Sequence, residues 1–308
     1  MDLNLEFDVI EDDVEIIEII DVGIPRQIYQ RVDNFHNLSE WEFFKRFRLQ
    51  KETVLQVLQE IDNQLEYPYD RNNAVAPIHQ LLIALRYYAR GSHLLSIADF
   101  CGVHISTACR IVKRISRGND AEVFRNRKQY FSINVQAVTD AKKRFVDIVA
   151  RWPGSSHDAT IFNASRLKAK FEEGQYNNCV LLGDSAYNLR RFLLTPFLNP
   201  AGNSQQRYNE SHIRTRVTVE NMFGIWKRRF PVMAYGCRLK LENVLLVIVA
   251  TAVLHNVAQN MGEEEPPVDN VHQVDNLINE GYINEVNNNE ANIGNIREQL
   301  VINYFANL

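Results

Sequence analysis

The chain has 308 residues, 45% hydrophobic and 23% charged, enough to bury a large core and build one or two domains with tails. Its formal net charge of -4 hides an asymmetry: residues 1–21 carry nine acids and no Lys or Arg, residues 262–308 carry nine acids and one base, and residues 22–261 hold +13. Widely spaced Cys101, Cys109, Cys179 and Cys237 exclude a CxxC zinc site or a disulfide framework, and the longest apolar run, Val244 to Leu254, is too short for a spanning helix of about 20 residues.

No basic-then-apolar signal opens the chain, so secretion is not expected, and the cysteines suit a reducing compartment. A basic core favours a polyanion such as nucleic acid, while acidic tails either compete with that ligand or simply aid solubility. In chain order, residues 1–21 predict a poorly ordered acidic arm or one short docked helix. Residues 22–118 predict an all-helical domain, with apolar residues at threes and fours over 38–65, 75–88 and 94–116. From Tyr130 the period falls to two: residues 131–138 read as a half-buried strand, 140–144 as a turn and 145–152 as its antiparallel partner. A helix over 158–171, a buried strand at 179–182, a polar loop to Ser211, a helix over 212–229 and a core helix over 239–261 complete the second domain, 119–261. Residues 262–308 predict an acidic, Asn-rich tail, mostly disordered, with a short docking helix at 296–308.

Two segments carry chemistry. Residues 96–111 have the pattern of a helix-turn-helix: Ala98 allows close packing, Gly102 permits a left-handed turn, and Ile97, Val103, Ala108 and Ile111 form an apolar wedge. Ser106 is the expected N-cap, and Thr107, Arg110, Lys113 and Arg114 supply donors suited to a major groove, although a helical hairpin that merely packs shares the apolar pattern. The second segment is Gly183-Asp184, where glycine gives a ligand or metal access to a strand end. His212, Arg216 and Glu220 recur every four residues along one helical face, with Lys227 continuing near it; a solvated row of ion pairs has the same spacing.

Taken jointly, Ser96–Ile115 and several blocks within Asn119–Met261 resemble the Harbinger transposase family and its domesticated nuclease relatives. The blocks are residues 119–128, 130–140, Ile148 to Asp158, Leu182-Gly183-Asp184-Ser185-Ala186-Tyr187, and Arg216 to Lys227. The resemblance implies an α/β fold: an N-terminal helix-turn-helix domain and an RNase H-like mixed sheet flanked by helices. It further implies DDE carboxylates holding Mg²⁺ or Mn²⁺ to activate water against DNA phosphodiesters. By motif match, Asp184 is the second Asp and Glu220 the Glu. DNA as partner, a Myb-like protein partner and a nuclear location, with the cytoplasm also open, follow from the same resemblance.

The chain departs from the family where relatives carry the first catalytic Asp in an Ile-Asp-Gly-Thr-His-like strand: Arg114-Ile115-Ser116-Arg117-Gly118 runs straight into Asn119. The implied sheet therefore lacks its first strand, which leaves unpaired backbone groups or forces new pairing. Asp158, beside His157, is the best stand-in ligand, although the two more naturally cap the next helix or support the site from behind. Two functions remain open: a metal-dependent DNA nuclease, and a DNA-binding or partner-binding derivative without turnover. A helical scaffold with no nucleic acid role would make the basic core incidental.

Overall fold

The computed structural model describes residues 2–7, 30–67, 74–91, 93–116, 131–237, 239, 241–267 and 296–307. Expectations that fall between these ranges, including the block at 119–128, lie outside the described residues. Helices dominate, with two small sheets, a mixed α/β architecture. Contacts divide the chain into two compact units that interleave rather than follow chain order: one holds residues 1–3, 134–224 and 271–308, the other 4–133 and 225–270.

The second of these units is helical. It contains α1 (Asn34–Asn37), α2 (Glu40–Phe47), α3 (Lys51–Leu65), α4 (Pro77–Arg90), α5 (Leu94–Cys101) and α6 (Ile105–Ser116). The end of the long helix α9 (Asn203–Arg229), α10 (Val232–Tyr235) and α11 (Leu241–Asn260) complete it. A Ser39/Glu42 capping box starts α2, and Pro77 starts α4, where its missing N–H costs nothing. Helix α4 is the centre: nine of its residues from Gln80 to Ala89 are buried, and α2, α3, α5, α6 and α10 all pack on it. Gln80 is itself buried, donating to the Leu65 and Val75 carbonyls at 2.9 and 2.7 Å and so fixing the descent from α3 into α4. Helix α11 is long and apolar enough to cross a membrane, yet ten of its residues are buried and it packs on α3 and α6.

One feature of this unit was not expected. Arg229, at the end of α9, and Glu263 form an ion pair at 2.6 Å with neither side chain exposed (0%/0%). Arg229 also donates to the Arg48 and Glu264 carbonyls, and the Gln50 N–H donates to Glu263 at 2.9 Å. The first residues of the expected disordered tail are therefore ordered, because this carboxylate pairs with a buried guanidinium. A second link, Arg228 to Glu265 at 3.9 Å, is partly exposed.

The other unit contains the hairpin β2 (Phe131–Thr139) and β3 (Phe145–Pro153), then α7 (Asp158–Asn163), α8 (Arg166–Glu172), β4 (Leu181–Leu182) and β5 (Leu193–Leu194). The body of α9 and a C-terminal piece, α12 (Ile296–Leu300) continuing as a π-helical turn (Val301–Phe305), complete it. The hairpin turn forms as expected. The Asp140 carboxylate accepts from the Lys142 and Arg144 N–H groups and from the Arg144 guanidinium, which together hold its pKa down against burial, and Lys143 takes the left-handed conformation. The docking helix also forms: Val301 and Phe305 pack on Tyr208, and Arg297 lies 3.9 Å over the Phe197 ring.

Five expectations are corrected. Residues 2–7 form a strand, β1, neither a disordered arm nor a helix, and sheet order β1-β2-β3 puts β2 in the middle; alternating Leu3, Leu5 and Phe7 give the segment a strand's period. Strand β2 is buried on both faces from Ile133 to Ala137, because Asn134 and Gln136 find hydrogen-bond partners inside the unit. The 158–171 helix breaks at Ser165, whose hydroxyl donates to the Phe162 carbonyl and accepts from the Lys168 N–H, starting a new helix. Helix α9 starts at Asn203 rather than 212, stabilised by burial of Tyr208. Finally, the strands fall into two sheets. Among the described residues β4 pairs with β5, in parallel, over two residues, and the stretch before it is open: Cys179 is exposed and Val180 is 50% exposed, where a buried strand was expected.

Removing one partner of a buried ion pair strands the other charge. Glu263→Gln is expected to lower the unfolding free energy by about 3–5 kcal/mol, whereas Glu265→Gln, on the part-exposed link, should cost under about 1 kcal/mol. Urea denaturation of the two variants checks the contrast.

Candidate functional site

The candidate site is built where β4 ends. The Leu181 N–H donates to the Phe192 carbonyl at 2.7 Å and the Gly183 N–H to the Leu194 carbonyl at 2.9 Å; these bonds seat β4 beside β5 and deliver the chain to Asp184. The next residues turn back: the Ala186 N–H donates to Asp184 Oδ1 at 2.9 Å and the Tyr187 N–H to the Asp184 carbonyl at 3.3 Å. This turn puts the Tyr187 ring over the strand end, and it explains Gly183. A Cβ there would lie 2.9 Å from Tyr187 Cδ2 and 3.2 Å from Leu193 Cδ1, so the glycine is required by the aromatic side chain rather than by ligand access.

Helix α9 presents its polar face to this turn. Arg216 Nη2 lies 3.8 Å from Asp184 Oδ2, with both side chains mostly buried. His212, one helical turn before, is buried and its Nε2–H donates to the Leu194 carbonyl at 3.2 Å, linking α9 to β5. Its Nδ1 is buried without a hydrogen-bond partner. Burial pushes the imidazole pKa below 6.5 against the opposing pull of the Leu194 carbonyl, and Arg216 lowers it further. His212 is thus neutral at pH 7. Glu220, one turn beyond Arg216, is partly buried on the same helix.

Strand β2 supplies residues that the sequence reading passed over. Gln136 Nε2 donates to the Tyr187 hydroxyl at 2.9 Å and to the Asp158 carbonyl at 3.3 Å, so it ties the Asp184 turn to the start of α7. Asn134 Nδ2 donates to Asp158 Oδ1 at 3.3 Å and to the Ser156 carbonyl at 3.1 Å. The signal for these roles was two amides at alternate positions of one strand, which alternation alone assigns to solvent. His157 occupies the N-cap position of α7 with its ring exposed and makes no capping bond, so the expected cap is positional only. Lys227 lies past the boundary, in the helical unit, where burial lowers its pKa.

A divalent ion in such a site needs several oxygen ligands. Among the described residues, no three His, Cys, Asp or Glu side chains converge as a metal site requires. Asp184 Oδ1 already accepts an N–H and Oδ2 faces a guanidinium, while Asp158 accepts from Asn134. Asp184 and Glu220 are suitable ligands in kind, but the described residues do not by themselves fit the ion.

The second candidate surface is α6. The chain turns by 102° between α5 and α6, at Gly102 with φ 64°, where an added Cβ would run into the Gln30 carbonyl. Ile97, Val103, Ala108 and Ile111 are all buried in this bend. The helix starts two residues earlier than expected, at Ile105: the Ser106 N–H donates to the His104 ring at 3.3 Å, so His104, not Ser106, caps it. Arg110 is exposed, Thr107 and Lys113 partly so. Arg114 differs, because its guanidinium donates to the Gln64 and Glu66 carbonyls, reaches Gln80 and stacks on Tyr67 at 4.5 Å.

The His212 shift has a pH consequence. A pKa lowered on folding gives stability that is fully present above about 6.5 and is lost as pH falls through the folded value. Between pH 7 and 5, His212→Gln, which keeps a donor but does not titrate, should lose less stability than the native chain; denaturation midpoints across that range check it.

Residues 105–256 match the family described as DDE superfamily endonuclease. The chain is 23% identical to "Putative nuclease HARBI1" of Homo sapiens and 24% identical to that of Mus musculus, each covering 79% of this chain and 84% of the relative. It is 26% identical to "Protein ALP1-like" of Arabidopsis thaliana over 46% of this chain and 39% of the relative. No solved structure matches it. The chain carries a DDE superfamily endonuclease domain and is homologous to the Harbinger transposase-derived nucleases.

Proposed function

We propose that this chain acts on DNA as a metal-dependent nuclease of transposase descent, with α5 and α6 serving as a helix-turn-helix and Asp184 and Glu220 as the surviving carboxylates of the DDE site. The observation that carries this reading is the approach of Arg216 to Asp184, with Glu220 one turn further along the same helix. Asp184 and Glu220 are oxygen ligands of the kind Mg²⁺ or Mn²⁺ takes and would need further oxygens to complete a site, with His212 holding α9 to β5. Thr107, Arg110 and Lys113 are the residues for the duplex, and Arg114 braces their helix. A nuclear location and a Myb-like protein partner belong to the same reading.

A second reading has its own support. With the first Asp missing from the sequence and Asp184 facing a guanidinium, the chain would bind DNA, or a protein partner, without hydrolysing it. Incubation of plasmid DNA with Mg²⁺ or Mn²⁺ separates the two. The nuclease reading expects cleavage that falls about 100-fold or more in Asp184→Asn and Glu220→Gln, with retention on DNA unchanged. DNA retention without cleavage overturns it in favour of the second. Arg110→Glu should weaken retention on duplex DNA at low salt, and absence of any retention by the native chain overturns both DNA readings.

A further inference from the structure

The helical unit holds a cleft of about 550 Å³ between α2, α4 and α5, away from the residues assigned above. Its lining contains five cations and one carboxylate, Glu42. Arg86 and Arg90 stand one turn apart on α4, a like-charged spacing that destabilises a helix unless something else compensates. Arg86 is held in place, with Nη1 donating to the Arg46 carbonyl at 3.1 Å and its guanidinium 4.4 Å from the centre of the Phe100 ring. No carboxylate pairs with Lys45, Arg46, Arg86 or Arg90 among the described residues. Burial first, and Arg90 second, push the Arg86 pKa down to about 10, so it stays charged at neutral pH.

An aromatic platform lies at the rim. Trp41 is 68% exposed, and Lys45 Nζ lies 4.8 Å from its ring centre. An exposed indole is costly to leave in water, and beside unpaired cations it has a specific use: bases stack on such rings while neighbouring Lys and Arg hold the phosphates. Capping of the α2 carbonyls accounts for Arg46, which donates to the Glu42 carbonyl, but not for Arg90 on another helix or for Trp41.

We infer that this cleft binds one nucleotide unit of an unpaired DNA strand, with a backbone phosphate between Lys45, Arg86 and Arg90 and the base on Trp41. The inference rests on the DNA reading above and adds a second contact, for single strands, beside the duplex contact of α6. A protein that opens or processes DNA ends must hold a strand whose bases are exposed, and a stacking ring with a phosphate clamp does so without reading sequence.

The test is fluorescence anisotropy with a labelled single-stranded oligonucleotide over a salt series. Lys45→Glu with Arg90→Glu, both at exposed positions, should weaken binding at least about tenfold and flatten the salt dependence by roughly one phosphate contact. Trp41→Ala should weaken it about tenfold, while Trp41→Phe retains most of the affinity and controls for folding. Single-strand affinity within twofold of native in the charge and Trp41→Ala variants, with helical content intact, overturns the inference and leaves duplex binding standing. Deoxyadenosine monophosphate competing as strongly as the oligonucleotide, per nucleotide, also overturns it, because the cleft would then be a small-molecule site. A native chain that binds neither duplex nor single strand removes the DNA reading itself.

Discussion

A guanidinium with no exposed surface must have its charge and donors compensated inside the protein, and Arg229 sets that condition for the helical unit. Glu263 meets the charge, and carbonyls from two separate stretches of chain accept from the Arg229 Nη groups. Three segments are thereby fixed together: the left-handed C-cap of α2 at Arg48, the last turn of α9, and the chain leaving α11. Replacing such a pair with apolar residues often costs nothing, so its energetic merit is small, but losing one half is severe. The pair therefore specifies register more than it adds stability. It fixes where α9 ends, within the helical unit.

Phase matters along a helix because it presents a residue to a given side only once in every three or four positions. In the other unit, His212 meets the Leu194 carbonyl and Arg216 meets Asp184, two contacts one turn apart on the same face of α9. The Asp184 turn is secured independently, by the Ala186 N–H and by the Tyr187 hydroxyl bonded to Gln136. Carboxylate and helix are each positioned by a local network before any ligand arrives. Preorganisation of this kind is what a hydrolytic or phosphate-contacting site requires, and it persists even though β4 has a single neighbour of two residues.

Much of this was legible where one period rules a segment. The hairpin follows from alternation over 131–138 and the turn from Asp140; the bend at Gly102 follows from a glycine between two amphipathic stretches, which the 102° turn and the buried Ile97 and Val103 match. Helical spacing alone put Arg216 and Glu220 on one face. What stayed hidden depends on partners distant in the chain. Asn134 and Gln136 look solvent-facing until Asp158 and Tyr187 are brought to them, and Gly183 looks like ligand access until the Tyr187 ring folds over it. Glu263 reads as the start of an acidic tail because its partner is 34 residues away; Lys227-Arg228-Arg229 and Glu263-Glu264-Glu265, two opposite triplets, were the available signal.

The Asp184–Arg216 contact bears on how complete the carboxylate site is. At 3.8 Å the pair is looser than a direct charge-assisted hydrogen bond of about 2.7–2.9 Å, so the guanidinium neutralises Asp184 without occupying it fully. In a site with three carboxylates and bound cations, an arginine at that distance would be repelled by the metal and drawn toward substrate phosphate. With fewer carboxylates the same arginine has a carboxylate to itself, and its attraction opposes any cation that seeks the same oxygen. On the nuclease reading proposed above, a missing acidic ligand would cost more than one coordinating oxygen, because Arg216 would then compete with a cation for Asp184.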